Sequence, residues 1–216
     1  MTESGGKLKV EQIDENVDLD ACDEQAQDRR AQPRAMAIFR PALIETDDFA
    51  GFCLIRNLSD SGLMAKVYAQ FTEGEPVRIS FNSDIITDGV IVWSKDGQIG
   101  IKFDTGIDVD DLLQKLSQSH TAGKVNRAPR LQVECEGELL SGKHRIPMRL
   151  QDISQRGIKV NVSSVWPGDE VFVQLDGLEQ RKAVVRWTQG RVAGLNFVRP
   201  VGFEELAEWV IEKQSG

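Results

Sequence analysis

The chain has 216 residues, with 40% hydrophobic and 28% charged content, as an ordinary soluble protein has. It holds no apolar run long enough to span a membrane and no basic-then-apolar leader, so membrane insertion and secretion are not expected. Its three cysteines (Cys22, Cys53, Cys135) are odd in number and far apart, which argues against a disulfide frame and for a reduced, cytoplasmic setting.

Residues 1–27 form an acidic N-terminal tail. Eight acids against Lys7 and Lys9 give it −6 of the formal net charge of −8, leaving −2 for the remainder. With few large apolar residues and no aromatics, this tail is expected to be disordered. The acidic balance therefore says nothing against an anionic ligand on the folded part.

From residue 35 onward, short apolar stretches are broken by Gly, Asp, Asn and Pro. Strands are expected at 36–44, 51–57, 61–67, 76–82, 87–94 and 98–103. Val77, Ile79 and Phe81 alternate with Arg78 and Ser80, the period of a half-buried strand. Turns are marked by Glu73-Gly74-Glu75-Pro76 and Lys95-Asp96-Gly97. A helix follows, because Val109, Leu112, Leu113 and Leu116 fall on one stripe. Asp108 is its expected N-cap, and Asp110 and Asp111 suit the positive end of the helix dipole. Residues 119–124 read as a linker.

The plan then repeats. Asn57-Leu58-Ser59-Asp60-Ser61-Gly62 is answered by Asp152-Ile153-Ser154-Gln155-Arg156-Gly157, an offset of 95. Val90-Ile91-Val92-Trp93 corresponds to Val184-Val185-Arg186-Trp187, and Gly100-Ile101-Lys102-Phe103 to Gly194-Leu195-Asn196-Phe197, at an offset of 94. Strands are expected near 130–136, 143–151, 157–163, 170–175, 180–188 and 192–198, with a closing helix at about 202–213. So long a period means two copies of a whole domain, 28–118 and 125–216, rather than a solenoid. Six short strands and one helix per copy suit a small antiparallel barrel closed by a helix. The expected fold is mainly β: two tandem six-stranded antiparallel β-barrels, each followed by a C-terminal α-helix. Trp93 and Trp187 sit in apolar runs and are expected in the cores, as are Phe103 and Phe197.

Two local features carry chemistry. Arg30-Ala31-Gln32-Pro33-Arg34 puts two arginines four apart on a segment that Pro33 biases away from helix. Asn57-x-Ser59-x-x-Gly62 closes a strand with residues that bond local backbone and, at Gly62, tolerate positive φ. In this order and at this distance the pair resembles the signature of the PilZ family, bacterial receptors for cyclic di-GMP: Arg-x-x-x-Arg, then Asp/Asn-x-Ser-x-x-Gly. The resemblance covers about residues 28–118 and 125–213. It implies a six-stranded barrel with a C-terminal helix, and Arg30, Arg34, Asn57, Ser59 and Gly62 as ligand-binding residues. Arg29, directly before the motif, is a further candidate; the family's neighbouring position influences whether one ligand or a stacked pair is bound.

The chemistry agrees with that implication. A guanidinium can fork onto phosphate or the O6/N7 edge of guanine, or stack on the base, and lysine can do only part of this. The second copy keeps Asp152, Ser154 and Gly157 but reads Asn126-Arg127-Ala128-Pro129-Arg130. With Pro129 on Pro33, Arg130 matches Arg34 while Asn126 stands at Arg30, so the first arginine is lost or shifted to Arg127. Arg127, Arg130, Asp152, Ser154 and Gly157 form the weaker second site.

Catalysis is not expected. His120 and His144 are the two histidines, and no phosphate loop, metal-spaced cysteine pair or nucleophile motif occurs. Polymer DNA or RNA binding is not expected either, because the aromatics lie in apolar runs and the domains are not basic. The reading is a cytoplasmic bacterial receptor, monomer or homodimer. It would bind cyclic di-GMP through the first domain, need no cofactor or metal, and signal to an unidentified protein partner in motility, exopolysaccharide or biofilm control. The alternative is a PilZ-fold scaffold or adaptor that binds no ligand.

Overall fold

The computed structural model describes residues 36–118 and 128–214. The acidic tail, Arg29, Arg30, Arg34, the linker and Arg127 lie outside the described residues.

The first repeat forms β1 (Met36–Glu45), β2 (Ala50–Ser59), β3 (Gly62–Lys66), β4 (Pro76–Ser80), β5 (Ile86–Lys95), β6 (Gln98–Phe103) and α1 (Val109–Gln118). The second forms β7 (Leu131–Ser141), β8 (His144–Ser154), β9 (Gly157–Val162), β10 (Glu170–Leu175), β11 (Leu178–Gln189), β12 (Val192–Phe197) and α2 (Phe203–Gln214). Each set of strands closes into an antiparallel barrel, in the orders β1-β2-β3-β6-β5-β4 and β7-β8-β9-β12-β11-β10. Closure removes the exposed edges that an open sheet of short strands would present.

The core of barrel 1 is built from the inward faces of these strands, with Ala42, Ile44, Ile55, Ile79, Ile91 and Ile99 almost fully buried. Helix α1 lays Val109, Leu112 and Leu116 on that core. Asp108 caps it as expected, its Oδ1 accepting from the Asp111 amide at 2.9 Å. In barrel 2 the longer hairpin β7–β8 turns on Gly142, whose φ of 58° only glycine adopts readily. This turn extends β7 well past the end expected from sequence.

Helix α2 does two jobs. Leu206, Ala207, Trp209 and Val210 join the barrel-2 core, and Trp209 Nε1 donates to the Asp176 carbonyl at 2.8 Å. Its first residue, Phe203, meets Phe52 and Tyr68 of barrel 1 edge-on, with ring centroids 6.1 and 6.0 Å apart. Leu43 and Phe52 point out of barrel 1, yet they are buried within the barrel-2 cluster. Lys66 bonds Glu204 at 2.6 Å, and Gln214 donates to the Ala50 carbonyl at 2.6 Å. The second helix therefore closes its own barrel and fastens it to the first.

The candidate ligand site and its two versions

Both Ser–Gly turns are built alike. Ser59 Oγ donates to the Gly62 carbonyl at 3.1 Å, and Ser154 Oγ to the Gly157 carbonyl at 3.2 Å. Each serine spends its proton on its own turn, which leaves lone pairs free to accept from a ligand donor. The glycines are not in the positive-φ region expected from sequence. Their requirement is closeness: a Cβ on Gly62 would collide with the Ile101 carbonyl oxygen, and one on Gly157 with that of Leu195.

Bulges recur at the same places in both copies. In β2 one falls between Ile55 and Asn57, and in β8 between Leu150 and Asp152, so the motif Asn or Asp stands beside an extra residue. In barrel 1 that residue is Arg56, whose guanidinium lies 4.7 Å from the centre of the exposed Phe39 ring. In β5 the register shifts between Ile91 and Trp93, and in β11 between Val185 and Trp187. A bulge breaks the in–out alternation, so two consecutive side chains leave on one side.

The tryptophans correct the sequence reading. Trp93 and Trp187 are not core residues: they are 37% and 42% exposed, on the outer faces of their barrels. Each indole lies over a glycine of the next strand. A side chain on Gly100 or Gly194 would strike the Trp93 or Trp187 ring. The signal was present in sequence as a Trp and a Gly that recur together in both copies. Phe103 and Phe197 are buried, as expected.

In barrel 2 these parts line a cleft of about 590 Å³. Arg130, Asp152, Ser154, Arg186, Trp187 and Gly194 are among its lining residues. Arg130 Nη1 is ion-paired to Asp152 Oδ1 at 2.5 Å. The position in barrel 1 that corresponds to Asp152 carries the uncharged Asn57. Elsewhere, burial pushes the Cys53 thiol up to about 12. No group of metal-ligating side chains occurs among the described residues.

The sequence matches the PilZ domain over residues 28–119 and again over 125–211. No curated protein sequence matches it. Among solved structures it is similar to Borreliella burgdorferi PlzA in complex with c-di-GMP, at 9% identity and TM-score 0.41, covering 88% of this chain and 99% of that one. It is also similar to the Bacillus subtilis inhibitor of motility MotI, at 14% identity and TM-score 0.34, covering 83% and 98%. Escherichia coli YcgR in complex with c-di-GMP aligns at 10% identity and TM-score 0.34, covering 80% and 82%. With two closed six-stranded barrels, each followed by a helix, and two domain matches over most of its length, the chain belongs to the PilZ domain family.

Proposed function

We propose that the chain is a cyclic di-GMP receptor, not an enzyme, with its principal site on barrel 1. Arg30 and Arg34 would hold phosphate and guanine, with Arg29 beside them. Asn57 would accept from the guanine N–H edge, and Ser59 would offer its free lone pairs. Gly62 would keep the turn low enough for the ligand to lie across it. The observation that carries this reading is the complete five-residue signature, Arg30, Arg34, Asn57, Ser59 and Gly62, in a chain of this family. The exposed Trp93, lying over Gly100 on the outer face of barrel 1, supports it as a face for a planar base. The output would pass to a protein partner, in motility, exopolysaccharide or biofilm control.

Calorimetric titration of the full chain with cyclic di-GMP tests the proposal. The unmodified protein is expected to bind and to melt at a higher temperature with ligand present. Arg34→Ala removes a charge-assisted contact worth about 1.5–3 kcal/mol, so affinity at that site should fall about tenfold or more. No heat and no rise in Tm for the unmodified protein would overturn the reading.

A further inference from the structure

Strand register lets the outer faces of the two barrels be compared residue by residue. In barrel 1 one row crosses the sheet through Ala50, Glu45, Arg78 and Asp88. It ends at Asp104, whose amide donates to the Asp88 carbonyl at 3.1 Å. The matching row of barrel 2 is Arg145, Leu140, Phe172 and Lys182. It ends at Val198, whose amide donates to the Lys182 carbonyl at 2.9 Å. The chain neighbours Leu139, Val171, Val173, Ala183 and Phe197 all belong to the barrel-2 core, so the row itself faces outward.

Barrel 1 fills this row as a solvated surface does. Arg78 is paired with Asp88 at 2.8 Å, with Glu45 on its other side. In barrel 2, Leu140 replaces Glu45, Phe172 replaces Arg78 and Val198 replaces Asp104. Phe172 is 45% exposed and Val198 56%, and Leu140 is half-buried. Barrel 1 shows that the fold closes with charges at these places, so the apolar groups are not there for closure. A second difference lies on the turn that leads into β10. Both barrels close this turn alike: the Thr72 amide donates to Glu75 at 3.0 Å, and the Trp166 amide to Asp169 at 2.8 Å. Yet barrel 1 carries Thr72 there and barrel 2 carries Trp166, 65% exposed. Single exposed apolar side chains are ordinary, but neighbouring ones on one face mark a contact surface.

Charge indicates what covers it. Arg145 is paired with Glu138 and Lys182 with Glu170, so the face is neutral and offers little to a strongly charged partner. A second copy of the chain brings the same neutral, apolar face. Of the net charge of −8, −6 lies in residues 1–27, so the remainder, at −2 per copy, repels its like only weakly in salt. Like patches meeting across a two-fold axis are the commonest form of self-association.

We propose that two copies of the chain associate through this face of barrel 2, with Phe172 packing against its own counterpart across a two-fold axis. Five strands about 4.8 Å apart make the row about 20 Å long. A patch about 20 Å square covers about 400 Å², half of the about 800 Å² per partner of a standard interface. The dimer should therefore be weak and should dissociate on dilution.

The test is sedimentation equilibrium of the full chain from micromolar to submillimolar concentration. No nucleotide is present, so the result does not depend on the receptor reading. The variants are Phe172→Arg and Val198→Asp, which install the barrel-1 residues, and Ile86→Gln, which installs the barrel-2 residue at an exposed position off the row. The unmodified protein is expected to pass from monomer to dimer and stop there. Phe172→Arg and Val198→Asp should each weaken association about tenfold or more. Ile86→Gln should leave it unchanged. The Tm of dilute protein should move little in all three, because these side chains face solvent. Added salt should not dissolve the dimer, because the contact is apolar.

A monomer at every concentration would overturn the proposal. So would a dimer that Phe172→Arg and Val198→Asp leave intact, since it would form through another surface. Equal weakening by Ile86→Gln would reduce the effect to general stickiness and overturn the assignment of the face. Growth past the dimer into larger species would overturn the two-fold contact.

Discussion

Barrel 1 and barrel 2 share a skeleton and differ in what hangs on it. Strand order, the bulges beside the motif Asn or Asp and before the Trp, the serine-closed turn and the Trp-over-Gly contact are the same in both. The differences nearest the serine-closed turn fall on outward side chains. Val92 becomes Arg186 on the bulge, Met64 becomes Lys159, and Asn57 becomes Asp152, which Arg130 holds. Backbone closeness forces the glycines and the turns. It places no demand on an outward side chain, so the two copies diverged in the side chains of their outer faces and kept one fold.

The largest expected effect tests whether the barrels are independent. Phe52 is 4% exposed, yet it faces out of barrel 1 into the cluster around α2. Phe52→Ala should cost about 3–5 kcal/mol, as loss of a buried phenylalanine usually does. It should also split urea unfolding into two transitions. A single, unshifted transition would mean that the barrels are not energetically joined there.

Next come the paired glycines. Gly62→Ala and Gly157→Ala drive a methyl into a neighbouring carbonyl, and each should cost about 1–3 kcal/mol, the range for overpacking. Similar losses in both, read from denaturation midpoints, would show that the turn is framework. Loss of ligand binding with unchanged stability would instead assign these glycines to the ligand alone.

Asp152→Asn gives barrel 2 the residue of barrel 1. It weakens a partly exposed ion pair and should lower stability by about 1 kcal/mol or less. A drop several times larger would mean that the pair holds the barrel shut rather than guarding the cleft.

The smallest effect is on the thiols. Burial raises the Cys53 pKa to about 12, so the folded protein keeps a proton that the unfolded chain releases near pH 9. The resulting stability is present below about pH 9 and is lost as pH rises from there towards 12. At pH 8, iodoacetamide should label Cys135, which is half-buried with a pKa raised by burial, well before Cys53. Labelling of Cys53 at the rate of Cys135 would show that barrel 1 opens locally.

Much of this was legible before any coordinates. Alternating Val77, Ile79 and Phe81, the Asp108 cap and the Asp96-Gly97 turn, both with positive φ, lie in the structure where local chemistry puts them. The repeat disclosed two like folds, and the Ser–Gly strings at 59–62 and 154–157 marked two turns built alike. These are local matters: period, capping and turn conformation depend on residues a few positions apart.

Other facts belonged to the tertiary structure. Val90 to Trp93 reads as one buried run, but a bulge after Ile91 turns Val92 and Trp93 outward. A one-residue change of register exchanges the faces of a strand, and composition does not record it. Arg130, Arg156, Lys159 and Arg186 are up to 56 residues apart in sequence and meet only because long-range pairing sets β8, β9, β12 and β11 side by side around one cleft. Phe203 likewise reads as one residue of an amphipathic helix, and only docking against Phe52 and Tyr68 makes it the joint between barrels. The sequence by itself determined the elements and their repetition. Closure of the strands decided which side chains face each other, because long-range pairing, not local propensity, sets direction and neighbourhood.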